Sequence, residues 1–300
     1  MMISRDWWMR GGMNTVFDRL KKYAEMVMFS HTLFSLPFGL MAMLWAADGL
    51  PSFRVVFWIL VALFGARNGA NALNRLIDKD IDAANPRTAS RHLPKGQLKP
   101  SEVLAVAVVC FALMIWAAYE LNPLCLMLSP LAILLFIVYS YTKRFTWACH
   151  IVLGLACGGA PVGAWMAVTG TIGWPSLVLG AAVMLWVAGF DIIYGTQDVD
   201  FDKSFGIFSI PVKFGIKNAL LISTAFHVMA LLLLLYLFFL LDLGWLYIVG
   251  WLIAAALIYV EHSIVSPDHL DDVKIASYSI NQIVSVVLFI FTAADMFIAR

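Results

Sequence analysis

Residues 54–82 read RVVFWILVALFGARNGANALNRLIDKDID. The first part is a nearly unbroken apolar run. From Arg67 onward a polar side chain returns at every third or fourth position: Arg67, Asn71, Asn74, Asp78, Asp82. That spacing is the repeat of one helical face. A helix closes its backbone hydrogen bonds internally, which a segment surrounded by lipid requires. Ionisable groups at membrane depth are costly, so the stripe must face a bundle interior or a wet cavity. The stretch therefore predicts a membrane-spanning helix that carries a polar site at one end.

The rest of the 300-residue chain agrees. Hydrophobic residues make up 62% and charged residues 13%, against roughly 45–50% and 25% in soluble domains. These proportions exclude a disordered chain, a disulfide scaffold and an ordinary soluble enzyme. Runs long enough to span, at roughly 20 residues each, are expected over 26–47, 54–77, 102–120, 124–142, 150–169, 176–196, 219–241, 244–260 and 278–298. The expectation is an all-α bundle of nine transmembrane helices forming one integral-membrane domain over 1–300. No run alternates with a period of two, which argues against a β-barrel. Sixteen of the 20 Lys and Arg fall in the N-terminal segment, 1–22, and in the long connections near 78–101, 143–149, 197–218 and 261–277. The positive-inside rule makes that face, and the N-terminus, cytoplasmic. The start of the chain lacks an apolar core of signal-peptide type. Cys110, Cys125, Cys149 and Cys157 have no zinc or redox spacing and read as packed thiols. A net charge of +1 offers nucleic acid no general attraction, and no protein partner can be inferred.

A second acidic segment matches the first. Asp191, Tyr194, Asp198 and Asp202 share a helical face at the end of the sixth expected span, while Asp200, like Asp80, points elsewhere. Two helices thus end in Asp pairs spaced by four, on the same membrane side. Carboxylates gathered at low dielectric repel and need cations. Mg²⁺ suits them, because it binds through one or two carboxylates together with substrate phosphates. Arg67, Arg75, Arg87, Arg91, Lys143, Arg144 and Lys203 are available for the remaining diphosphate oxygens. A single such pair in a loop is ordinarily just solvated; two of them at the ends of polar-striped membrane helices point to a metal–diphosphate site. An ion-coupled transporter is the rival reading, although transporters place their sites near the midplane. The DGxxAR and DDxxD signatures of other metal-dependent transferases are absent.

Asn74-x-x-x-Asp78-x-x-x-Asp82, the following Arg87-Thr88-Ala89-Ser90-Arg91-His92-Leu93-Pro94, the central Tyr139-Ser140-Tyr141-Thr142-Lys143-Arg144 and Asp191-x-x-Tyr194-x-x-x-Asp198-x-x-x-Asp202 with Ser209-Ile210-Pro211 together resemble the UbiA superfamily of intramembrane aromatic prenyltransferases. The pattern is most similar to the 4-hydroxybenzoate polyprenyltransferase branch, with its menaquinone-pathway relatives, and covers nearly the whole chain. The resemblance implies nine helices. It also implies Mg²⁺-dependent transfer of a polyprenyl group from polyprenyl diphosphate to a small aromatic acid such as 4-hydroxybenzoate, or to another quinone precursor such as 1,4-dihydroxy-6-naphthoate, in ubiquinone or menaquinone synthesis. The location implied is a bacterial inner membrane, with the loops near 78–101 and 197–218 capping a cytoplasmic active site.

Carried onto this chain, Asp78, Asp82, Asp198 and Asp202 would hold metal. Asn74, Arg87, Arg91, Lys143 and Lys203 would bind diphosphate, and Asp78, Asp191, Asp198, Tyr194 and Asn74 would serve catalysis. His31, Arg67, Asn71, Tyr139 or Tyr141, Arg144 and Asn281 are expected to reach the acceptor or the cavity, with Arg144 or Lys203 holding the acceptor's carboxylate. The chain departs from the family pattern in the first span: Met28-Phe29-Ser30 precede His31 where many members carry a basic residue, and the nearest cation is Lys22. His227 is expected to pack in mid-span. Gly158-Gly159-Ala160-Pro161 is expected to serve close helix packing or a kink.

Overall fold

A computed structural model describes residues 19, 21–27, 34 and 36–299. Among the described residues from Leu36 onward, eleven α-helices follow one another: α1 Leu36–Ala47, α2 Phe53–Ile77, α3 Lys79–Ala84, α4 Pro100–Leu121, α5 Pro123–Thr142, α6 Cys149–Thr169, α7 Trp174–Gly195, α8 Val199–Phe205, α9 Ile210–Leu240, α10 Trp245–Ser263 and α11 Asn281–Ala294. π-helical turns Ile275–Ile280 and Asp295–Ala299 extend α11 at both ends. Among the described residues there is no β-sheet, only an isolated antiparallel bridge between Ser266 and His269.

Among the described residues eight helices are long and apolar enough to cross a membrane, and α1 is a shorter apolar helix of 12 residues. The first expected span, 26–47, lies partly outside the described residues, and His31 falls there. The 197–218 connection contains more helix than expected. Ser209 caps α9 by accepting a hydrogen bond from Val212 N at 3.3 Å, Pro211 occupies its first turn, and the helix bends at Gly215, where φ is +79°. Other connections are tight. Asn122 alone separates α4 from α5; its side chain accepts from Cys125 N at 3.0 Å and donates to Met166 O at 2.8 Å, tying the turn to α6. Pro100, Pro123 and Pro175 sit in first turns, where no intrahelical N–H is lost.

Packing follows membrane logic, in which close contact rather than water expulsion joins helices. A Cβ added at Gly158 would lie 2.4 Å from Gly180 O, so α6 and α7 meet backbone to backbone only because that residue is glycine. The main core gathers Phe38, Met41, Leu179, Val183, Leu237, Tyr247 and Leu288 from α1, α7, α9, α10 and α11. α7 lies inside this core, with residues such as Val183, Trp186 and Ile192 buried. Its far end, and that of α2, deliver the two acidic segments to the same place. The four cysteines are free thiols.

Candidate active site

The polar stripe of α2 turns inward. At Asp78 the backbone leaves α-helical geometry (φ −90°, ψ 5°) and α3 resumes at once. This short break keeps Asp78 and Asp82 on one side, both buried, and leaves Asp80 exposed. Asn74 Nδ2 donates to Asp78 Oδ2 at 3.0 Å. Lys143 Nζ donates to the same oxygen at 2.7 Å, and Arg144 lies 3.2 Å from Oδ1. Arg91 Nη1 donates to Asp82 Oδ1 at 2.5 Å, with Arg75 3.9 Å from Oδ2.

The loop after α3 reaches across to the second segment. Arg87 Nε and Asn85 Nδ2 each donate to Asp198 Oδ1 at 2.9 Å. Arg87 also donates to Asp198 Oδ2 and to the Tyr194 hydroxyl, with its guanidinium 4.8 Å above the Tyr194 ring. Burial works against the Arg87 charge, and the bonds to Asp198 and Tyr194 more than restore it, so its pKa lies above the ordinary arginine value. One turn deeper, His150 Nδ1 pairs with Asp191 Oδ2 at 2.7 Å. The Tyr194 ring meets Tyr278 edge-on at 4.9 Å.

All of these groups except Arg144 and the exposed Asp80 line one cavity of about 270 Å³. Its outer part is charged, with Asp78, Asp82, Asp198 and Asp202 among Arg87, Arg91 and Lys143. Its inner part is aromatic and apolar, with Phe34, Tyr139, Leu153, Val187, Phe190 and Tyr278. The donor set fits a hard cation: all four acids are carboxylates, and Asp78 Oδ1 is buried without a hydrogen-bond partner. Among the described residues no three His, Cys, Asp or Glu side chains converge as a cage. Mg²⁺ rarely needs one, since it keeps waters and shares substrate oxygens. In this arrangement the cations sit on the carboxylates, where a bound metal and diphosphate would exchange partners with them.

The cavity brings together Arg67, Asn71, Asn74, Asp78, Asp82, Arg87, Arg91, Tyr139, Lys143, Asp191, Tyr194, Asp198 and Asp202. Four expected members stand elsewhere. Lys203 is exposed and outside the lining, because α8 turns that face to solvent. Tyr141 is 45% exposed and lies under Arg144, since only alternate faces of α5 can point inward. Arg144 spends its donors on Ile77 O at 2.8 Å and Ser140 O at 2.9 Å, bracing the end of α2 from behind Asp78. Asn281 is fully buried between Trp186 and Glu261. His227 packs as expected, fully buried. Asn85, His150 and Tyr278 line the cavity without having been picked out from the sequence. Asn85, three residues past Asp82 on the same stripe, carried a usable signal. His150 and Tyr278 carried none, as their partners lie far away along the chain.

A membrane-embedded helical bundle whose acidic helix ends and basic loops meet over an aromatic chamber defines an integral membrane enzyme built for a charged head joined to an apolar body. The chain belongs to the UbiA prenyltransferase family, which residues 35–286 match. It is 32% identical over 241 residues to a 4-hydroxybenzoate octaprenyltransferase of Aeromonas hydrophila, covering 76% of this chain and 82% of that one. A UbiA homologue from Aeropyrum pernix superposes with a TM-score of 0.82 at 31% identity, over 89% of this chain and 98% of that one. A UbiA homologue from Archaeoglobus fulgidus bound to GPP and Mg²⁺ shares the fold, with a TM-score of 0.72 at 20% identity over 92% and 99% of the two chains. The protein is thus a membrane prenyltransferase, and the transporter reading falls away.

Proposed function

We propose that this enzyme transfers a polyprenyl group from polyprenyl diphosphate to a small aromatic acid such as 4-hydroxybenzoate, in quinone biosynthesis, at a site facing the cytoplasm. The observation that carries the reading is one cavity in which both Asp pairs, five Lys and Arg side chains and an aromatic chamber meet. Mg²⁺ held by Asp78, Asp82, Asp198 and Asp202 would supply charge stabilisation to the departing diphosphate. Arg87, Arg91 and Lys143 bind its other oxygens once they are released from the carboxylates they now cover. Asn74 keeps Asp78 oriented. The carbon–oxygen bond breaks, the diphosphate leaves with the electron pair, and an allylic cation remains. The apolar chamber excludes water from that cation, and the faces of Tyr139, Phe190 and Tyr278 stabilise it. A ring carbon of the acceptor attacks, a carbon–carbon bond forms and the ring loses a proton.

Arg67 is the best candidate for the acceptor's carboxylate, in place of Arg144 and Lys203. It lines the cavity, and its buried Nε has no hydrogen-bond partner. Asn71, which lines the same wall, is anchored by donating to Val27 O at 2.7 Å.

Membranes containing the protein, given radiolabelled polyprenyl diphosphate, should label 4-hydroxybenzoate with Mg²⁺ and fail with EDTA. Labelling of 1,4-dihydroxy-6-naphthoate alone would move the acceptor to the menaquinone side, and no product from any aromatic acid would defeat the reading. Arg67→Ala should raise KM for the acid about 10- to 100-fold, the loss of one charged hydrogen bond, with a smaller change in KM for the diphosphate.

A further inference from the structure

The transfer leaves a proton on the acceptor ring, and something in the chamber must take it. Asp78, Asp82 and Asp198 are each hydrogen-bonded to Lys143, Arg91 or Arg87, and in the reading above their oxygens face metal and diphosphate. Asp191 stands apart. It lies seven residues before Asp198 on α7, about 10 Å deeper at a helical rise of 1.5 Å per residue, on the aromatic side of the cavity. Among the described residues its hydrogen-bond partner is His150, and no Lys or Arg pairs with it.

His150 is built in rather than loosely packed. It is 5% exposed. Its ring lies against Gly195, where an added Cβ would sit 3.0 Å from Cε1, so a glycine there makes room for it. Its Nε2 is buried and has no hydrogen-bond partner, and its Nδ1 is turned to the Asp191 carboxylate. That bond occupies Asp191 Oδ2, and Asp191 itself lines the chamber.

We propose that Asp191 accepts the proton lost by the acceptor ring, and that His150 is its positioning residue. The inference rests on the prenyl-transfer reading. As the ring's π electrons form the new carbon–carbon bond, the C–H pair at that carbon returns to the ring. The proton passes to Asp191 Oδ1, and from there to solvent through the open mouth. His150 neither touches substrate nor carries the proton; it holds the carboxylate in register, the role a third group plays toward a catalytic base.

The test uses 4-hydroxybenzoate deuterated at the ring positions beside the hydroxyl. In the wild type, the isotope effect on kcat should stay near unity, with carbon–oxygen cleavage setting the rate. Asp191→Asn should lower kcat by about 10²-fold or more, the usual worth of a general base, and expose a primary isotope effect, because proton loss then becomes slow. His150→Phe should do the same to a lesser degree. His150→Asn, whose side-chain N–H can stand where Nδ1–H stood, should recover most of the rate and suppress the isotope effect. If the variants lose rate while the isotope effect stays at unity, the proton goes elsewhere, for instance to the departing diphosphate, and the proposal fails. Should Asp191→Asn not fold, the pair of His150 variants carries the same readout. Absence of product from wild-type protein with every aromatic acid overturns the prenyl-acceptor reading itself, a distinguishable outcome.

Discussion

The cavity and a second polar network among α7, α9, α10 and α11 each bury a carboxylate, a histidine and an asparagine amide, and they use them differently. In the cavity, Asp78, Asp82 and Asp198 are matched by Lys143, Arg91 and Arg87 from flanking connections and helix ends. In the second network, Asn281 Nδ2 donates to Glu261 Oε1 at 2.9 Å, and Trp186 Nε1 donates to Asn281 Oδ1 at 2.7 Å. His227 lies between His262, at 2.8 Å, and Trp186 O, at 3.0 Å. No Lys or Arg joins that network among the described residues. It links α7, α9, α10 and α11 through uncharged donors, the polar cross-linking that membrane bundles use between helices. Cations paired to carboxylates make a site that can exchange partners with a ligand. Amides and rings locked among themselves make a brace.

Breaking each side should therefore have a different signature. The largest effect is expected for Asp198→Ala, which removes the anchor of Arg87 and Asn85 together with a proposed metal ligand. Its kcat should fall about 10²- to 10³-fold, the range seen when a group stabilising transition-state charge is lost, while thermal unfolding in detergent shifts little. Asn281→Leu should invert that pattern. It strands the Glu261 carboxylate and the Trp186 N–H, at about 1–3 kcal/mol for an unsatisfied buried group. The melting temperature should drop while turnover per folded molecule stays within about threefold, a factor of ~0.65 kcal/mol. A loss of activity without a loss of stability would show that the brace belongs to the site. The smallest effect is expected for Lys203→Ala. This exposed residue lies outside the cavity, and surface changes of that kind stay within about 0.5 kcal/mol. A large rise in KM for the diphosphate would bring Lys203 back to the binding surface and blur the contrast.

The same contrast explains what could be read beforehand. Asn74, Asp78 and Asp82, and likewise Asp191, Tyr194 and Asp198, are local patterns. Their spacing alone sets a shared face, and the cost of burying them predicts an inward orientation. Asn281 looked equally inward. Burial cost, however, says only that a polar group must find partners, and Glu261 and Trp186 were as acceptable as a cavity. Lys203 shows the limit for cations: a positive charge near an acidic motif can face solvent at little expense, while Arg144 divides itself between Asp78 and the carbonyls of Ile77 and Ser140. Lys143 and Arg91 have similar sequence surroundings and turn to the carboxylates.

Membrane residence, the run of helices and two acidic faces were present in the order of side chains, because hydropathy and helical period act within a few turns of chain. The meeting of those faces was not. It depends on the loop after α3 crossing to Asp198, on α6 lying close enough to α7 at Gly158 for His150 to reach Asp191, and on Tyr278 arriving from the end of the chain. Such contacts join residues tens to hundreds of positions apart, and only packing of the whole bundle selects among the partners that each polar group would accept.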